Sequence, residues 1–439
     1  MVQKTAEMKS FTRFLLLALL APAVTLSAQT RVWSLQDCID YAMENNIQLR
    51  QSRNAYASGL EDTEQARAAL FPSLSASTSQ GVNANPIASG GATTGYSGSY
   101  GLNSDVTLYS GGKLRTAIRQ QEVQNEQDSL SIAQNAMSIR ISILQAYMQC
   151  LYAAEAVTVN ESTVEVARAQ RDRAQEMWKA GSISKVDFAQ MESQLSGDMY
   201  QLTVSRNNLA NYRLQLRQLL ELGIDEDIVL SGADATEDDV LRLLPPKSEV
   251  CANALDNMPE VASGELGVTA AELALKQAQA GFLPSVGMSA GIGTANRAGT
   301  GNAFTRQLQD NFNTSLGLNV SIPIVQGRRN RTAVNKARIS LDNSRLAAQS
   351  TEKAVLREVE TAYLDAVSAQ AQYLAAQQKE QYSRQSFELT SEQFNVGMKN
   401  IVELITAKTE YLSAQQSLLQ AKYMALLNLS VLDIYQGKI

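Results

Sequence analysis

Two stretches of this chain echo each other 216 residues apart, taking Gly397 minus Gly181. One is Lys179-Ala180-Gly181-Ser182-Ile183-Ser184-Lys185-Val186-Asp187-Phe188. The other is Phe394-Asn395-Val396-Gly397-Met398-Lys399-Asn400-Ile401-Val402-Glu403-Leu404. The same offset carries Arg115-Thr116-Ala117-Ile118 onto Arg331-Thr332-Ala333-Val334, and Ala146-Tyr147 onto Ala362-Tyr363. Earlier in the chain the offset is 212: Phe71-Pro72-Ser73 falls on Leu283-Pro284-Ser285, and Ala42-Met43-Glu44-Asn45 on Ala254-Leu255-Asp256-Asn257. The chain is a tandem duplication with four residues gained between Pro284 and Arg331, so one supersecondary unit is built twice.

In each echo a glycine stands where a long helical pattern stops, followed by a short polar run and an apolar-acid-apolar triplet that opens another helix. Glycine tolerates the left-handed backbone that ends a helix, and Ser182 or Asn400 can offer oxygen to the next helix's free amides. Both stretches predict tips of helical hairpins. The helices leading to them are long. Lys113 to Met177 holds neither proline nor glycine and repeats apolar residues at threes and fours, as in Ile139, Ile143, Tyr147. That is a rod of about 100 Å. Arg329 to Phe394 repeats it, and shorter helices return over Ser184 to Leu222 and Ile401 to Leu432.

Ser34-Leu35-Gln36-Asp37 predicts a capping box that opens a helix running to Glu44. A break at Asn45-Asn46 and a second helix from Ile47 to Leu70 follow, ended by Phe71-Pro72. Leu244-Pro245-Pro246-Lys247 joins the copies, giving repeat 1 as 29–244, repeat 2 as 245–432 and a tail, 433–439.

From Ser73 to Ser110 the chain turns to Ser, Gly, Thr, Asn and Tyr, a linker-like composition that periodicity overrules. Tyr96, Tyr100, Leu102, Val106 and Leu108 alternate with Ser97, Ser99, Asn103, Asp105 and Thr107, a strand with one apolar side. Leu74, Ala76, Thr78 and Val82 form the weaker partner. In repeat 2, Val286, Met288, Ala290 and Ile292 make one strand, and Phe312, Leu316, Leu318, Val320, Ile322 and Ile324 the other. Each repeat therefore holds a strand hairpin, about 73–110 and 285–325, with tips near Asn83 to Thr94 and Thr294 to Leu308.

Composition narrows the function. The chain has no histidine, which removes the commonest general base and metal ligand together with Ser-His and Cys-His pairs. The net charge of -6, with Lys and Arg scattered, argues against nucleic acid as a partner. Cys38, Cys150 and Cys251 are odd in number and far apart, matching neither a disulfide framework nor a zinc spacing; burial as small residues is the expectation. Lys4, Lys9 and Arg13 precede an apolar run, Phe14 to Ala21, and small residues to Ala28. Residues 1–28 are expected to be a secretory signal peptide, with no cysteine behind the cut to carry lipid.

Four strands have open edges, which a bilayer forbids, and bacterial barrels begin at eight strands. If these strands are membranous, chains must associate: two would supply eight strands and three would supply twelve. Asn103, Asp105, Thr107, Asn313 and Asn319 would then face water. The apolar side would meet lipid, with Tyr100, Tyr109 and Phe312 among its interface aromatics.

The exported two-repeat chain resembles TolC-type outer-membrane efflux proteins from Ser34 to about Leu432. The resemblance rests on Phe-Leu-Pro-Ser at 282–285, Leu-Tyr-Ser-Gly-Gly-Lys at 108–113, the two glycine tips, and the repeated order helix, strand pair, long helix, tip, return helix. It implies a mainly α fold with a β-barrel part: a homotrimer with a twelve-stranded barrel in the outer membrane and an α-helical tunnel in the periplasm. The implied partners are a periplasmic adaptor and an inner-membrane transporter. No enzyme activity and no cofactor are expected.

The resemblance also assigns the tips. Hairpin tips close the periplasmic entrance in this family, and Glu403 takes the place of its first constriction acid. The second such place holds Thr406, so one acidic ring is missing. Three Glu403 side chains around an axis would attract cations, and crowding would raise their proton affinity. Lys399 stands at the basic tip position, Asp187 at its acidic partner, and Phe394 where the family has a hydroxyl-bearing aromatic. Lys399 with Asp187 is thus an expected entrance latch, with Phe394 unable to add the second hydrogen bond. Gly181 and Gly397 shape the turns at which an adaptor docks. The plainer reading of Asp187 and Glu403 is an acid complementing a helix dipole, and of Lys399 a solvated charge. A periplasmic coiled-coil adaptor would explain tips and signal but not two strand pairs; an exported hydrolase lacks its residues. A protein-secretion outlet is the alternative within the channel class.

Overall fold

The protein is described by a computed structural model over residues 32–85, 93–224, 226–232, 236–298 and 302–438. The expected signal peptide lies outside these residues, as do parts of both expected strand-hairpin tips. Repeat 1 contains β1 (Val32–Trp33), α1 (Leu35–Asn45), α2 (Ile47–Ala68), β2 (Ser73–Asn85), β3 (Thr93–Tyr109), α3 (Lys113–Lys179) and α4 (Lys185–Leu219). A short link carries β4 (Val229–Leu230) and α5 (Glu237–Val240). Repeat 2 contains α6 (Lys247–Asn257), α7 (Pro259–Ala280), β5 (Ser285–Arg297), α8 (Phe304–Asp310), β6 (Asn313–Ser321), α9 (Arg329–Asn395) and α10 (Ile401–Tyr435).

The duplication holds to the residue. An offset of 212 superposes α1 on α6, α2 on α7 and β2 on β5; an offset of 216 superposes α3 on α9 and α4 on α10. Both long helices have 67 residues and both return helices 35. Local signals explain the ends. Ser34 and Asp37 form the predicted capping box. Asn46 closes α1 and accepts from the Gln48 and Leu49 amides to open α2. In repeat 2 the same break is made by Met258 with Pro259, whose missing N–H costs nothing at a helix's first position. The last helix passes the expected end at Leu432 and runs to Tyr435, because Ile434 is buried in the core.

That core lies where the long helices cross α1 and α6. Ile143, Leu216 and Cys38 are fully buried in one half; at the duplication offsets Val359, Leu432 and Val250 fill the same places in the other. Each such aliphatic side chain contributes about 1.5–3 kcal/mol by leaving water. Cys150 takes the position of Ala366, so two of the three cysteines act as small apolar residues, as expected, while Cys251 is half-buried. Burial pushes the Cys150 thiol up to about 11.

β1 and β4 make a short parallel pair, and the four hairpin strands form one sheet rather than two separate hairpins. Its order is β2-β3-β5-β6, all antiparallel, with β3 and β5 joining the repeats. One face carries Leu74, Leu102, Ile292, Leu316 and Leu318, all exposed; the other is Ser, Gly and Asn with Asp105. A bulge between Thr107 and Tyr109 sets Tyr109 opposite Val286, so Leu108 departs from the expected alternation. The sixth strand is shorter than expected. Phe312, Ile322 and Ile324 lie outside it, and Pro323 has no N–H to give a ladder. The loop before it is not plain coil, because α8 takes the place of strand beside the upper end of β5. There Thr294 Oγ1 donates to Leu308 O (2.7 Å), and Gln307 Oε1 accepts from the Arg297 amide (2.7 Å).

Candidate functional site at the hairpin tips

Both helical hairpins turn by the same backbone device. At the first tip the amide of Gly181 donates to Trp178 O (2.9 Å) and that of Ser182 to Met177 O (2.8 Å). At the second, Gly397 donates to Phe394 O (3.0 Å) and Met398 to Gln393 O (2.8 Å). These are Schellman closures, and they require the left-handed φ of +75° at Gly181 and +77° at Gly397. A Cβ at either glycine would meet nothing within 4 Å, so a substitution there acts through torsion alone. Gly397→Ala is expected to cost about 1–2 kcal/mol locally. Native-state hydrogen exchange at the Met398 amide should therefore quicken about tenfold; an unchanged rate would show that the turn does not depend on glycine.

The first expected cap is displaced by two residues. Ser184, not Ser182, opens α4: its Oγ accepts from the Asp187 amide (3.1 Å), and the Asp187 carboxylate accepts from the Ser184 amide (3.1 Å) and hydroxyl (2.8 Å). The Ser182 amide is spent on the Schellman bond. Asn400 opens α10 as expected, its Oδ1 accepting from the Glu403 amide (2.9 Å) while Glu403 Oε2 accepts from the Asn400 amide (3.1 Å). Asp187 and Glu403 are thus equivalent capping acids.

The two tips pack on one another through an apolar cluster. Ala174, Phe188 and Met191 from the first hairpin meet Ile401 and Leu404 from the second, with Phe394 half-buried against them. Trp178 stacks on Phe188 with centroids 5.3 Å apart. Without a hydroxyl, Phe394 supplies apolar surface where the resemblance placed a hydrogen bond.

The expected Lys399–Asp187 latch is not formed within the chain. Lys399 Nζ instead donates to Glu403 Oε1, four residues along the same helix start, and Asp187 is occupied by Ser184. The reason is local: an (i, i+4) spacing brings ammonium and carboxylate together without either hairpin moving. The Lys399 bond, followed by the Asn400 amide, holds the Glu403 carboxyl below its usual range. Thr406, where the resemblance gives a second acid, donates to Val402 O (2.8 Å) and carries no charge.

Above the cluster lies a pair that the sequence reading missed. Lys408 Nζ donates to Asp198 Oδ2 (2.8 Å), linking α10 to α4, with side chains only 4% and 9% exposed. The signal was present: Ile401, Leu404 and Lys408 follow a three-four spacing, as do Phe188, Met191, Leu195 and Asp198 once Leu195 is included. Each charge occupies a position that the pattern reserves for an apolar residue. The pair spans 210 residues (408 minus 198) against 216 between the tips.

Higher in the bundle the Glu155 carboxylate accepts from Tyr423 Oη (2.8 Å) and Lys422 Nζ (3.4 Å). Burial, then the Glu155 bond, push the Tyr423 hydroxyl upward, so it remains a donor. No helix among the described residues is long and apolar enough to cross a membrane.

Comparison with known proteins places this architecture. The chain is similar to the outer membrane protein TolC of Escherichia coli (strain K12), 22% identical over 417 residues that cover 92% of this chain and 82% of the relative. It is similar to the toxin and drug export protein A of Aggregatibacter actinomycetemcomitans, 23% identical over 403 residues covering 89% and 83%. Among solved structures it resembles CusC with a TM-score of 0.79 at 18% identity, covering 92% of this chain and 91% of that one. The profile of the outer membrane efflux proteins matches residues 38–221 and 250–436, one match to each repeat. A duplicated helical hairpin with an edge-open sheet, matched over both copies, makes this chain a member of the outer membrane efflux protein family.

Proposed function

We propose that three copies of this chain form the outer-membrane channel of a tripartite efflux system. An inner-membrane pump and a periplasmic adaptor deliver the cargo, and the channel conducts it passively to the exterior. The observation that carries this reading is the four-stranded sheet. Among the described residues its outer strands β2 and β6 each pair on one side only, and one face is exposed Leu, Ile and Val while the other is Ser, Gly and Asn. Exposed apolar side chains and open edges both cost free energy in water; joining three sheets edge to edge in lipid removes both costs. The helical hairpins then hang together on the periplasmic side and enclose a tunnel.

On this reading the tips form the entrance, with Glu403 facing the axis and the turns at Gly181 and Gly397 offering the adaptor its docking surface. The channel itself carries out no chemistry; pumping energy comes from the inner-membrane partner. Export of polypeptides is the second reading. It is favoured by a polar sheet face of small side chains and by a relative named for both toxin and drug export.

The test is the mass of the protein extracted from outer membranes in mild detergent, corrected for bound detergent. Three chains are expected. A water-soluble monomer absent from the membrane fraction would sink the channel and leave an adaptor-like protein.

A further inference from the structure

We infer that Lys399 is a selectivity-determining residue which cancels the charge of Glu403, so that the entrance is an electrically balanced ring open to neutral and anionic cargo as readily as to cations. This rests on the reading that Glu403 faces the axis.

The argument begins with what surrounds the carboxylate. One Glu403 oxygen accepts from Lys399 Nζ and the other from the Asn400 amide, so both are engaged by donors. The next charged groups on α10 are Lys408, buried with Asp198, and Glu410, two turns away from Glu403. Thr406 adds no charge where a second acid would stand. The second tip of each chain thus brings one carboxylate and one ammonium to the constriction, in contact with one another. Two opposite charges in contact act on a passing ion as a dipole, whose field falls off faster than that of a bare charge and is screened beyond a Debye length of about 8 Å. Three bare carboxylates would act very differently. Their potentials add at the axis and concentrate cations there.

Lys399 is also held in place without the help of Glu403. It lies between Met398, whose amide closes the Schellman turn, and Asn400, the helix cap, so its backbone is anchored on both sides. The ammonium therefore stays at the tip whenever the turn is formed. Compensation does not require a strong ion pair, only proximity.

The experiment is the reversal potential of purified trimers in planar bilayers under a potassium chloride gradient, for wild type, Lys399→Gln, Glu403→Gln and the double variant. Trimer mass is checked for each. Lys399→Gln is expected to raise the cation-to-anion permeability ratio about fivefold, from three uncancelled charges a few ångströms off the axis at physiological salt. Glu403→Gln should lower the ratio by a similar factor, and the double variant should return near wild type. If Glu403→Gln lowers the ratio while Lys399→Gln leaves it unchanged, the entrance reading stands and the compensation is overturned. If neither variant moves the ratio, Glu403 does not line the constriction, and both fall.

Discussion

Replacing Lys408 by methionine is expected to destabilise the folded chain by about 3–5 kcal/mol, the cost of leaving a buried carboxylate without its partner. The geometry leaves Asp198 little alternative. Its Oδ2 is held by Lys408 at 2.8 Å and its Oδ1 by Gln194 Nε2 at 2.9 Å, in a place almost closed to water. The double variant Asp198→Leu, Lys408→Met should recover most of the loss, because an apolar pair of similar volume avoids the desolvation that the ions suffer. Guanidinium unfolding of the detergent-extracted protein, followed by helical circular dichroism, closes the double-mutant cycle. A single variant within 1 kcal/mol of wild type would mean that the pair is solvated in the assembled protein.

What the pair contributes is register. At the duplication offset Asp198 corresponds to buried Ala414 and Lys408 to exposed Glu192, so this contact was not inherited from the repeat. Where α4 and α10 meet near the tips, apolar contacts alone fix no position along the helices, whereas one buried ion pair favours a single pairing. The apolar cluster of Phe188, Met191, Ile401 and Leu404 lies on the tip side of that pair.

Leu318→Arg is expected to cost about 2–4 kcal/mol per chain and to abolish assembly into the outer membrane. Leu318 lies beside Met288, and Met288 beside Val106, a row of apolar side chains across three strands on the face assigned to lipid. Its neighbour Asn319 points the other way, next to Gly287, so Asn319→Arg should leave the trimer intact and change only its conductance. Heat-resistant trimers on mild gels, together with membrane fractionation, compare the two. Loss of the trimer in Asn319→Arg but not in Leu318→Arg would reverse the assignment of the faces. With three chains in the ring, the penalty at Leu318 is paid three times, which is why a single substitution decides assembly.

Much of this protein was written in short-range patterns. The duplication, the long helices, the glycine tips and the break at Asn46 depend on residues within a turn or two of one another, and periodicity or a capping residue reveals them. Strand faces are equally local, since alternation needs only neighbours. Even the capping roles of Asp187 and Glu403 follow from a three-residue spacing.

The tertiary structure decided whatever depends on how distant segments meet. It joined β3 to β5 to make one sheet of two hairpins, a pairing that no local pattern distinguishes from two separate hairpins. It placed α8 beside β5, where side-chain bonds hold a helix in a stretch expected to be a hairpin tip. It gave Lys399 to Glu403 instead of Asp187, because a contact four residues along the chain costs less ordering than one between hairpins. It also buried Asp198 with Lys408, where each charge alone looks like an interruption in an apolar stripe and only the packed pair explains both. Sequence determines which faces a helix or strand presents; packing determines which of those faces meet, because that choice is made by the desolvation of groups hundreds of residues apart.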